Sequence, residues 1–255
     1  PFIIQYAKFL ANVVAGDLGV DVWSNKPVSS IISAQVPHTL QLTLLGLGWA
    51  VVVGIPLGCW SSIRPNSWID RIVGVISVSA IAVPSFIIAV YSLLLFTVTL
   101  RWFPAIGAGD KGDPWDQFMH LVLPSFAIGL GWVGYLARLV RASMLETMGE
   151  NHIRMARAYG LPTAKITYVY ALKLAILPTV ALLGVGVGGL LSGAVFAEIV
   201  FARPGIGKLV YDAVMTRNYP IVMGGVLVTT VLYAASTLIS DLITAALDPR
   251  VRENL

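Results

Sequence analysis

Long apolar runs separated by short polar breaks constrain this chain more than any other feature. They cover residues 39–60, 72–100, 121–140, 174–200 and 221–247. Each holds 20 or more residues, the length a helix needs to cross about 30 Å of hydrocarbon. Composition agrees: 57% of residues are hydrophobic and only 12% are charged, about half the charged share of an ordinary soluble domain. The expected fold is all-α, a polytopic membrane protein with five transmembrane helices in this chain. The second run contains Pro84 and is long enough to tilt or kink.

Residues 1–38 are polar enough to lie outside the bilayer, and residues 39–255 would form the transmembrane domain. Phe2, Ile3, Tyr6, Phe9, Leu10, Val13 and Val14 recur at helical spacing, which predicts an amphipathic surface helix stopped by Gly16. A second short helix is expected over residues 28–35, ahead of Pro37. Ile206, Leu209, Val210, Ala213 and Val214 predict a third, with Lys208 and Asp212 paired at i,i+4 on its other side. The chain opens at Pro1 in mid-sequence, which suggests a fragment lacking an N-terminal segment.

The net charge of +4 comes from basic residues in short loops, not from a stripe, which argues against a nucleic-acid partner. Cys59 is the only cysteine, so no intrachain disulfide can form. Basic residues set the orientation. Arg64, Arg71, Arg138, Arg141, Arg154, Arg157, Lys165, Lys173, Arg250 and Arg252 collect on one face in short segments beside span ends. Lys8, Lys26, Arg101, Lys111, Arg203, Lys208 and Arg217 are dispersed on the other. The first face is expected to be cytoplasmic, with residue 1 outside.

Catalytic and metal-binding patterns are missing from the sequence. Gly184-Val-Gly186-Val-Gly188-Gly189 spells a dinucleotide fingerprint, but it lies inside an apolar span with no preceding strand. The pairs Gly184/Gly188 and Gly189/Gly193 instead have the small-xxx-small spacing that lets helix backbones approach. His38, His120 and His152 are scattered, so no metal site is expected. Glu198 and Asp241 lie near span ends, where snorkelling or a helix–helix hydrogen bond is the expected role. A proton-coupled carrier, the alternative from another class, would want carboxylates at mid-depth. Ser85, which follows Pro84, and Ser192 are hydroxyls near the middle of their spans and candidates for a solute pathway, although such serines often bond only their own backbone.

Residues 135–178 stand apart as a basic, proline-closed hairpin between two spans, cut by Gly149 and by Gly160-Leu161-Pro162. Tyr135-Leu-Ala-Arg138-Leu-Val-Arg141, Met144-Leu-Glu146, Arg154-Met-Ala156-Arg157-Ala158-Tyr-Gly160-Leu161 and Ala175-Ile-Leu-Pro178 resemble the cytoplasmic loop of ATP-binding-cassette importer permeases. The likeness is to the dipeptide/oligopeptide/nickel branch. It continues in Gly16-Asp17-Leu18-Gly19, Gly54-Ile-Pro56-Leu-Gly58, Glu198-Ile-Val-Phe201-Ala-Arg-Pro204-Gly205-Ile-Gly207, Asn218-Tyr219-Pro220 and Asp248-Pro249-Arg250. Tyr159 stands where that branch usually has lysine.

The resemblance implies six transmembrane helices in the full protein, one of them before residue 1, and both termini in the cytoplasm. It implies a permease subunit that moves di- or oligopeptides by alternating access, with nickel or another small solute as the alternative. It implies no ATPase site in this chain; ATP and magnesium would belong to two separate ATPase subunits. A second homologous permease and an extracytoplasmic substrate-binding protein complete the expected complex. The face at Gly184, Gly188 and Gly193 is expected to pack on another helix, at the pathway or the partner permease. Within the coupling loop, residues 141–173, the coupling contact would be carried by Glu150, Arg154, Ala156, Arg157, Ala158, Gly160 and Leu161. The helix is expected to gain from a Glu150–Arg154 pair and from small residues that admit the ATPase backbone. Outer helices at residues 2–14 and 206–214 are the expected docking surfaces for the binding protein.

Overall fold

Apolar periodicity and proline placement set the element boundaries. The computed structural model describes residues 2–247, so the expected polar stop at residues 248–250 lies outside the described residues. Helix α1 (Phe2–Val14) ends at Gly16, whose φ of 80° closes the turn. An isolated β-bridge, Val20 to Pro27, ties the following loop.

Helix α2 (Val28–Ile63) is continuous through Pro37 and Pro56. The short helix expected at 28–35 and the first span are therefore one element, and the expected boundary at residue 38 falls inside it. A proline removes one backbone hydrogen bond, and neighbouring helices in a membrane bundle supply substitutes. At 36 residues α2 is longer than a bilayer core requires.

The expected span at 72–100 is not one rod. Helix α3 (Trp68–Ala82) and helix α4 (Ser85–Ser92), extended by π-helical turns over Leu93–Thr99, meet at 98°. Val83 has φ −88° and ψ 120°, the extended conformation that a following proline imposes. Pro84 thus turns the chain sharply where a tilt or kink was expected.

Helix α5 (Pro114–Met148) starts on a strong signal: the Asp113 carboxylate accepts from the N–H groups of Trp115 and Asp116, at 2.9 and 3.2 Å, and Pro114 occupies the first turn. Then come α6 (Asn151–Ala158), α7 (Thr163–Lys165), π-helical turns over Ile166–Ala171 and α8 (Leu172–Ala175). Helices α9 (Leu177–Val200), α10 (Ile206–Met215) and α11 (Tyr219–Leu247) complete the bundle. Four helices, α2, α5, α9 and α11, are long and apolar enough to span a membrane, and the bent α3–α4 pair, counted as one span, would bring the number to five.

Small residues determine the central packing. Gly46, Ala50, Gly54 and Gly58 recur every fourth residue along α2 and face α5. A Cβ on Gly54 would lie 2.9 Å from the Val133 carbonyl oxygen, so the two backbones meet almost directly. Helix α9 is the hub, packing on α2, α4, α5, α10 and α11. Its Gly184 and Gly188 face Ser240 and Tyr233 of α11. The glycine face expected to meet a pathway or a partner permease is therefore filled by this chain's own last helix. Gly193 points elsewhere, toward Ser85 and Ile128.

Candidate functional site

Helix α6 has an amphipathic sequence, and its surroundings follow from that. Ile153 and Ala156 are buried among Cys59 of α2, Val140 and Met144 of α5, and Ile166, Ala171 and Ala175. Removing such residues from water contributes roughly 1.5–3 kcal/mol for a fully buried Ile-sized side chain. The opposite face carries Arg154, Met155, Arg157, Ala158 and Tyr159, all exposed, with Met155 at 61% and Tyr159 at 79%. A short helix is thus gripped on one side by both long spans and offers the other side to a partner.

Gly160 ends the helix by its backbone. Its φ is 71°; its N–H donates to the Arg157 carbonyl at 3.0 Å, and the Leu161 N–H donates to the Ala156 carbonyl at 3.2 Å. These are the two bonds of a Schellman cap, which places glycine in the left-handed region. No other part of the chain lies within 4 Å of a Cβ built there. Leu161 folds back against the buried cluster.

The seven residues expected to make the coupling contact therefore divide. Glu150, Arg154, Arg157, Ala158 and Gly160 are on the open side, while Ala156 is buried and Leu161 half-buried. Glu150 precedes the first turn, and its carboxylate lies 3.0 Å from His152 Nδ1. The expected Glu150–Arg154 pair is replaced by that contact. Met155 and Tyr159, not among the expected residues, present the largest apolar area on the open face. Helical phase relative to Ile153 was the signal for them.

A second feature escaped the sequence: a charge pair at the same end of the bundle. Arg141 of α5 reaches Asp70 of α3 in a two-pronged contact, Nε to Oδ1 at 2.5 Å and Nη2 to Oδ2 at 2.7 Å. Ser61 of α2 also donates to Asp70, as does the Asn66 N–H at 2.8 Å. The Asp70 side chain is 7% exposed and that of Arg141 33%. Residues 71 positions apart carry no local spacing signal, so only the fold could join them.

The two pathway candidates do not share a cavity. Ser85, half-buried, opens into a space of about 460 Å³ lined by Trp132, Tyr135, Gly131 and Gly189. Ser192, exposed, lines a separate groove of about 430 Å³ with Thr229, Thr230 and Tyr233. Its hydroxyl donates to the Gly188 carbonyl at 3.1 Å, the local bond common for serines in membrane helices. Val185 and Gly189 of α9 line both spaces.

Of the carboxylates near span ends, Asp241 is exposed on α11. Glu198 is fully buried and bonded to Thr39 of α2 at 2.7 Å, the helix–helix hydrogen bond expected, with no snorkelling. The expected pair Lys208–Asp212 is present at 2.6 Å. Among the described residues no group of three or more His, Cys, Asp or Glu could hold a metal ion.

Residues 54–253 match the family described as the binding-protein-dependent transport system inner membrane component. The chain belongs to that family. Among its relatives, the dipeptide transport system permease protein DppB of Alkalihalophilus pseudofirmus is 30% identical, covering 99% of this chain and 82% of that protein. A putative peptide permease protein of Brucella suis is 36% identical, covering 99% and 80%. The glutathione transport system permease protein GsiC of Escherichia coli K12 is 32% identical over the same shares. The fold superposes on a chain of the MetNI methionine ABC transporter in an inward-facing conformation, with a TM-score of 0.70 and 21% identity over 86% of this chain and 96% of that one. It also superposes on an amino acid ABC transporter with a TM-score of 0.67 and 13% identity, over 86% and 94%.

Proposed function

We propose that this chain is the permease subunit of an ATP-driven importer and that its solute is a di- or oligopeptide. Peptide and glutathione permeases among the relatives support the solute class. The structural observation that carries the mechanism is α6, gripped by Ile153 and Ala156 and open through Met155, Tyr159, Arg154 and Arg157. In this reading two cytoplasmic ATPase subunits hold ATP and magnesium, and this chain supplies no nucleotide chemistry. A second homologous permease completes the membrane domain. An extracytoplasmic binding protein delivers the peptide to the end that carries α1 and α10.

The face carrying α6 is cytoplasmic in this reading. Arg64, Arg71, Arg138, Arg141, Arg154, Arg157, Lys165 and Lys173 gather in short segments there, as the positive-inside rule requires. When the ATPases close, a push on Tyr159 and Met155 reaches Met144 and Val140 of α5 and Cys59 of α2 through the buried side of α6. Close-packed interiors transmit such displacement without absorbing it. The spans then re-aim the pathway from one face to the other.

The test is reconstitution of this permease with its companion subunits in sealed vesicles. ATP-dependent uptake of labelled di- and tripeptides, lost when the binding protein is omitted, is the expected result. Uptake that proceeds without ATPase subunits, driven by an ion gradient, would overturn the proposal.

A further inference from the structure

The segment joining α9 to α10 holds a dense, buried polar joint for which the coupling mechanism has no use. Glu198, two residues before the end of α9, is 0% exposed. Its Oε2 accepts from the Lys208 N–H at 2.9 Å, in the first turn of α10. Its Oε1 accepts from the Thr39 hydroxyl at 2.7 Å, and the same hydroxyl oxygen accepts from the Ile206 N–H at 2.8 Å. Gly205, immediately before α10, offers no side-chain cap of its own. The unpaired N–H groups that open every helix are met here by two side chains from two other helices.

The turn between the helices is equally determined. The Arg203 N–H donates to the Glu198 carbonyl at 2.8 Å and the Ala202 N–H to the Ile199 carbonyl at 3.1 Å, with Ala202 at φ 45°. That closes α9 with a Schellman cap. Phe201 is 3% exposed, buried with Ala89, Leu123 and Ala127. A Cβ on Gly205 would overlap the Glu198 carboxyl group, and one on Gly207 would lie 2.7 Å from Val195. The glycines of the 198–207 motif thus make room for the glutamate that opens it. Outside this joint α10 shows Tyr211, Val214 and Met215, all exposed.

We propose that Glu198 is a positioning residue that welds α10 to α9, so that outer helix and span move as one lever, and that the Thr39 hydroxyl is the single-atom latch holding that lever against α2. The distinction lies in the bonds. Glu198 and Lys208 lie ten residues apart on one continuous segment, whereas both polar contacts from this joint to α2 pass through one oxygen atom. Motion that opens the outer end therefore breaks the two Thr39 bonds and leaves the Glu198–Lys208 bond intact. The lever's function rests on the importer reading above; its rigidity does not.

The experiment uses the assembled importer with Cys59→Ala as background. Spin labels at Val185→Cys on α9 and Met215→Cys on α10, both exposed, report the joint; Val52→Cys on α2 with Met215→Cys reports the latch. The 185–215 distance is expected to be the same without nucleotide and with ATP trapped, and to broaden in Glu198→Gln. A shift of that distance between states, or an unbroadened Glu198→Gln, overturns the weld. Thr39→Val is expected to lower peptide carried per ATP about tenfold, and Thr39→Ser, which restores the hydroxyl, to recover it. Equal ratios for Val and Ser overturn the latch. Should the parent complex carry no peptide, the importer reading fails, while the distances still decide the joint.

Discussion

Asp70 and Arg141 lie 71 residues apart, yet they form a two-pronged ion pair that joins the start of α3 to the end of α5. With Ser61 and the Asn66 N–H also bonded to Asp70, four hydrogen bonds from three residues converge on one carboxylate. The pair stands one turn from Met144, which packs on Ile153 of α6. It therefore braces the walls that hold α6.

Removing one partner should expose that dependence. Arg141→Met leaves Asp70 buried without its cation, a change that costs about 3–5 kcal/mol when both charges are fully buried. Arg141 is one-third exposed, so the expected loss is nearer about 2 kcal/mol. Thermal unfolding of the purified permease measures it. The exchange Asp70→Arg with Arg141→Asp should recover part of the loss; an exchange no better than either single change would show that the attraction is not what matters.

Gly160 separates backbone from space. Its φ of 71° is costly for most side chains but tolerated by asparagine. Gly160→Asn should retain ATP-driven uptake, whereas Gly160→Val should lose most of it, with a strain of about 1–2 kcal/mol. Were both equally inactive, crowding by the ATPase would be the cause and not the cap.

The α9–α11 contact predicts a compensating pair. A Cβ on Gly188 would meet the Tyr233 ring at 2.6 Å. Gly188→Leu should lower stability by about 1–3 kcal/mol through overpacking, and Tyr233→Ala in the same protein should relieve it. Heat denaturation of the two single variants and the double variant gives the coupling. Additive losses would mean that the two residues do not meet.

The two solute-pathway candidates differ in exposure. In a Cys59→Ala background, Ser192→Cys on the open groove should react with a small water-soluble thiol reagent faster than Ser85→Cys, which is half-buried. Trapping ATP should change at least one rate in the assembled importer. Inert cysteines in every nucleotide state would place the pathway elsewhere.

At the α10 end, Asp21 anchors the loop that precedes α2. The Ser24 side chain and then the Asn218 amide hold its carboxyl down at about 2. A depressed folded value means that the carboxylate stabilises the loop above its unfolded value near 3.8 and ceases to as pH falls through the folded one. Hydrogen exchange over residues 20–25 should therefore be flat from neutral pH to about 4 and accelerate only below it, after correction for intrinsic rates. Acceleration near pH 6 would point to another group.

Much was legible along the chain because it depends on neighbours in sequence. Apolar runs of bilayer length marked the long helices, since an unsatisfied backbone cannot remain in hydrocarbon. The stops at Gly16 and Gly160 and the Lys208–Asp212 pair all lie within a few residues of what they bond. The short helix between residues 150 and 161 was legible too, but not which of its residues face outward: Ala156 is buried, and Met155 and Tyr159 are exposed. That depends on where α2 and α5 lie.

The residues by themselves determined the long apolar helices and the local stops at Gly16 and Gly160, consequences of hydrophobicity and backbone chemistry. Only the tertiary structure decided that Pro37 would pass through a continuous helix while Pro84 would turn the chain by 98°. Only it paired Asp70 with Arg141, set Gly184 and Gly188 against α11, and brought Thr39 to Glu198 across 159 positions. Hydrogen bonds and close backbone contacts act over about 3 Å, so partners distant in sequence are chosen by the packing of whole helices.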